Sequence, residues 1–76
     1  MSANERRDLE RKIEALIIAI PRETDAQEFY LQLEREYDDP ASKEMFRFLA
    51  EQEKGHRIHL EAILARLDEK LAKLPK

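Results

Sequence analysis

From Phe46 onward, alternating steps of three and four pass through Leu49, Glu53, His56, Leu60, Ile63 and Leu67. Every position on that line is apolar except the two in the middle. The spacing predicts a helix that turns the line toward a partner. An earlier line, Ile13, Leu16, Ile20 and Glu23, holds the same phase and continues through Tyr30 and Tyr37. No stretch alternates with a period of two, so the chain is expected to be all-α.

The break between the two lines is Asp38-Asp39-Pro40-Ala41. Asp39 suits an N-cap, Pro40 suits the first helical position, and Glu44 lies in the opening turns. The second helix is therefore expected from about Pro40 to about Leu74, where Pro75 ends the pattern. The first helical region covers roughly Glu5 to Tyr37, with the turn at 38–40. Pro21 falls inside it and either kinks one helix or separates two. The unbroken phase of Ile13, Leu16, Ile20 and Glu23 favours the kink. The predicted architecture over 1–76 is one antiparallel two-helix hairpin.

Folding the hairpin at Asp39 brings its polar interruptions to one level. Glu23 lies sixteen residues before Asp39, and Glu53 and His56 lie fourteen and seventeen after it. At the helical rise per residue, all three stand roughly 21 to 26 Å from the turn. A carboxylate or imidazole on a buried stripe costs free energy unless it is paired. Two carboxylates and an imidazole converging there suit a first-row metal ion. Two-metal centres in four-helix bundles take one Glu from each of two helices and Glu-x-x-His from each of the other two. This hairpin supplies one of each, so two copies about a two-fold axis would complete the set and cover the apolar lines.

Composition narrows the chemistry. A chain of 76 residues forms one small domain, which usually needs a staple. With no cysteine, disulfides, zinc ribbons, iron–sulfur clusters and thiol catalysis are excluded, leaving metal binding or oligomerisation. The formal charge of −3 comes from 14 Lys+Arg and 17 Asp+Glu with signs interleaved, which argues against nucleic acid. The polar start and short apolar run at Ala15–Ile20 predict neither a signal peptide nor a membrane span. A cytoplasmic location is the corresponding expectation.

The segment Ala19-Ile-Pro-Arg-Glu23-Thr-Asp-Ala-Gln-Glu-Phe29-Tyr30 resembles the first metal helix of rubrerythrin and ferritin-like proteins. Asp39-Pro-Ala-Ser-Lys-Glu-Met-Phe46-Arg-Phe-Leu49-Ala-Glu-Gln-Glu53-Lys-Gly-His56 resembles their second. The likeness spans about Ala19 to Leu67. It implies that Glu23, Glu53 and His56 are iron ligands and catalytic residues, and that Tyr30 packs against or hydrogen-bonds the site. It also implies a ferritin-like four-helix bundle completed by dimerisation, with two iron ions per dimer. The corresponding activity is oxidation of Fe(II) by O2 or peroxide, a ferroxidase-like or peroxidase-like oxidoreductase. Full-length rubrerythrins carry two such hairpins and often a cysteine-ligated iron module, whereas this chain has one hairpin and no cysteine. The single hairpin and the Glu23-to-Glu53 spacing are closer to the encapsulated ferritin-like proteins, which implies an encapsulin shell as partner and a nanocompartment as location. The ending Leu71-Ala-Lys-Leu-Pro-Lys76 is unlike their cargo tail.

Other readings remain open at this stage. Manganese or zinc would suit the same ligands. A metal-free dimerisation module, or a dimer fixed by a structural metal, uses the same helices without redox chemistry. Glu34, one turn beyond Tyr30, is either an additional ion ligand or an ordinary helix-surface residue. Tyr30 and Tyr37 fit core-edge aromatics better than redox groups, and His59 sits at the edge of its stripe. Ile18, Phe29 and Ile58 lie off the main lines and could form a second seam for even-numbered assembly beyond the dimer.

Overall fold

The computed structural model describes residues 2–75. They form two helices, α1 (Ser2–Glu36) and α2 (Pro40–Ala72), folded back on one another, with no strand among the described residues. The all-helical hairpin expected from the spacing is what forms. Ends shift slightly: α1 starts earlier and stops one residue sooner than expected, and α2 ends two residues short of Leu74.

The start of α2 follows from local chemistry. Asp39 is extended at φ −76° and ψ 139°, and its carboxylate accepts the Ser42 backbone N–H at 2.9 Å. That hydrogen bond satisfies one of the orphan amides of the first turn, and Pro40 has no amide to orphan. At the other end, the Lys73 N–H donates to the carbonyls of Glu69 and Lys70, both at 3.2 Å.

Pro21 lies inside α1 without dividing it. Its ring is exposed, so the Ile17 carbonyl that loses an amide partner is on the solvated side. One turn on, Thr24 Oγ1 donates to the Ile20 carbonyl at 3.3 Å and supports the weakened stretch.

The helices form a rod of 57 × 15 × 13 Å with a radius of gyration of 17.3 Å, against about 11 Å for a compact domain of this length. Among the described residues, only Leu9 (6% exposed) and Ala50 (1%) are buried. The apolar lines through Ile13, Leu16 and Ile20, and through Phe46, Leu49, Leu60, Ile63 and Leu67, are half-buried. They touch across the hairpin but are not enclosed by it. Ala50 is small enough for the backbones to approach, a role that a search for large apolar residues does not detect. Ile17, Ile18, Phe29, Tyr37, Met45, Phe48 and Ile58 are all 45% exposed or more. An open apolar groove runs between Ala15 and Leu16 on α1 and Ile63 and Leu67 on α2. Neither helix is long and apolar enough, over the described residues, to cross a membrane.

Candidate metal centre

α1 presents Glu23, and α2 presents Glu53 and His56 one turn apart. One ligand-capable atom from each lies within 4.8 Å of the other two. The level calculated from the sequence is therefore the level at which these side chains meet. His56 Nδ1 stands 3.7 Å from Glu23 Oε2 and 3.8 Å from Glu53 Oε2. Both separations are too long for hydrogen bonds. The imidazole shares a space with both carboxylates without satisfying either.

Electrostatics show the same shortfall. Glu23 Oε2 is buried and accepts no hydrogen bond. A buried acceptor without a donor costs on the order of 1–3 kcal/mol. The Glu53 carboxyl is pushed above the usual carboxylate range. The largest cause is a proton hydrogen-bonded between it and Glu23. Loss of hydration and the negative charge of Glu23 act in the same direction, and His56 opposes them. The side chains of Glu23 and Glu53 are 27% and 22% exposed, whereas His56 is 64% exposed. The carboxylates are sheltered between the helices while the imidazole stands at an open edge.

An orphaned carboxylate oxygen, a second carboxyl held above its usual range and a nearby imidazole nitrogen fit a divalent first-row cation. The donors are hard oxygens plus one borderline nitrogen, as iron, manganese and zinc accept. A cation would satisfy the orphan oxygen and offset the surroundings that raise the Glu53 pKa.

Elsewhere the side chains take other partners. Glu34 Oε2 meets Arg47 Nε and Nη2, each at 2.7 Å. Tyr30 is half-buried and packs on Phe29, ring centroids 5.6 Å apart. Tyr37 packs on Phe46 across the turn at 5.3 Å. His59 is exposed. Arg57, the residue after His56, carries no signal in the apolar pattern. Its Nε is buried without an acceptor, while Nη1 contacts Glu61 Oε1 at 3.2 Å. Arg47 carries no such signal either: it lies eight residues after Asp39 and Glu34 five before, a height difference of about 4.5 Å that only its long side chain spans.

No curated protein and no solved structure matches the chain. The family model described as Rubrerythrin matches residues 14–76, which takes in Glu23, Glu53 and His56. That family is one of di-iron carboxylate proteins and implies iron binding. With most of its length matched and the carboxylate–imidazole cluster at the middle of its helices, the chain belongs to the rubrerythrin family.

Proposed function

We propose that two copies of this hairpin pair about a two-fold axis and hold two iron ions between them, oxidising Fe(II) with O2 or peroxide. The observation that carries this reading is the convergence of Glu23, Glu53 and His56, with Glu23 Oε2 buried and unpartnered. One chain offers two carboxylates and one imidazole, half of the four Glu and two His that a two-metal bundle site uses.

The surface supports the pairing. The hairpin exposes 5941 Å² at 9.0 kDa, whereas a globular monomer of that mass exposes about 4,900 Å². The exposed surface includes seven large apolar side chains, and a second copy has the same apolar lines to pack against. His56, at the open edge, would be enclosed by such pairing.

Oxidising two Fe(II) to Fe(III) frees two electrons, enough with two protons to reduce O2 to H2O2 or H2O2 to two waters. Glu23, Glu53 and His56 would hold the ions. A bound cation would favour the ionised form of Glu53, opposing the surroundings that raise its pKa.

Glu23→Ala, Glu53→Ala and His56→Ala are each expected to abolish stoichiometric iron binding and Fe(II) oxidation, with helical circular dichroism retained. His59→Ala is expected to leave both near wild type. A Glu23→Ala protein with full iron content and rate would remove α1 from the site.

A further inference from the structure

Glu34 is tied to α2 twice, through different atoms. Its side chain, 15% exposed, receives both Arg47 Nε and Nη2 at 2.7 Å on one oxygen. Its backbone carbonyl accepts Lys43 Nζ at 2.8 Å. Side chain and backbone are thus held from residues one turn apart on α2, which limits both sliding and rotation. Among the described residues, the only other ion pair between the helices is His56 with Glu23 in the site itself.

A cation site demands a particular register. Sliding one helix by a single residue moves a ligand by about 1.5 Å and turns it by about 100°. Metal–ligand distances tolerate only about 0.2 Å. Apolar contact is non-directional and cannot define register that finely, least of all where Leu9 and Ala50 are the buried residues. The stacked rings of Tyr37 and Phe46 close the turn but have no fixed partner atoms. The bond from Arg6 Nη2 to the Pro75 carbonyl at 3.1 Å is exposed and lies beyond the end of α2. Charge-assisted bonds to one carboxylate oxygen are short and directional. Glu34 stands eleven residues from Glu23, about 16 Å along α1, and Arg47 six residues from Glu53, about 9 Å along α2.

We propose that the Glu34–Arg47 pair, with Lys43, is a positioning clamp that sets the register at which Glu23 meets Glu53 and His56. The clamp rests on reading those three residues as a cation site. Partly exposed ion pairs contribute little to stability, so its effect lies in geometry rather than in melting temperature.

The test is a Co(II) titration of the full chain, followed by visible absorption, which reports both affinity and ligand geometry. Arg47→Ala and Glu34→Gln are expected to bind Co(II) about tenfold more weakly, in the range seen when a partner that orients ligands is removed. Their Co(II) spectra should change while metal-free helicity and melting stay near wild type. The charge-swapped Glu34→Arg/Arg47→Glu protein is expected to regain affinity and spectrum, which no role of Glu34 as a ligand would allow. Single variants that bind like wild type overturn the clamp. Weak single variants with no recovery in the swapped protein also overturn it, and identify Glu34 as a ligand. A wild type that binds no Co(II) overturns the cation-site reading, and the clamp with it.

Discussion

Glu53 and Asp39 show how opposite surroundings move the same functional group. Ser42, through its side chain first and its backbone amide second, holds Asp39 below the usual carboxylate range. Its capping contribution therefore persists in mild acid and is lost as pH falls through that lowered value. Glu53 is held high by its hydrogen bond with Glu23, by lost hydration and by the Glu23 charge. A raised folded-state pKa adds stability below the ordinary glutamate range, and that stability is lost as pH rises through the raised value. Metal-free Glu53→Gln is therefore expected to melt above wild type at about pH 7, with the difference closing by about pH 3, below the ordinary glutamate pKa. Melts in chelator at both pH values check this, and a variant that melts lower at neutral pH contradicts it. The ligand cluster was legible in the sequence because helical rise and period convert residue numbers into height and face. Arg47 and Arg57 were not, because a long guanidinium side chain reaches across a turn or more and the backbone pattern does not fix where it lands.

At the scale of elements, Asp39-Pro40 specified the start of α2 because cap and proline each act locally. The outcome at Pro21 could not be read the same way. A proline inside a helix costs about 3 kcal/mol relative to alanine, and the cost falls on the helix whether or not it breaks. What decides is the packing on either side, here the Ile13, Leu16 and Ile20 contacts before the proline and Glu23 with its partners after it. Pro21→Ala is expected to stabilise the protein by about 1–3 kcal/mol, since the new residue restores an amide and suits the helix. Iron stoichiometry should not change, because Glu23 already sits at the level of Glu53 and His56 with the proline in place. Chemical denaturation with metal analysis checks both parts, and an altered stoichiometry would mean that the proline sets the direction of Glu23. The early start of α1 does have a local signal, since Ser2-Ala-Asn-Glu5 carries the Ser-x-x-Glu spacing of a capping box.

For the whole molecule, shape and chemistry point the same way. A rod 57 Å long with two buried residues among those described has too little core to account for its own order. In the proposed pairing, one partner, a second copy of the chain, would both cover the stripes and complete the ligand set. Nothing in one sequence states that symmetry; the proposal draws it from one chain's offering half of a two-metal ligand set. Cation binding to the pair alone would stabilise it by mass action, linking assembly to metal. Native mass spectrometry of the iron-loaded protein, with sedimentation at the same concentration, tests that link most directly. The expected result is an even-numbered oligomer carrying one iron per chain, losing metal and dissociating or softening together under chelator. A folded monomer that carries iron, or an oligomer that neither binds iron nor responds to chelator, would contradict it.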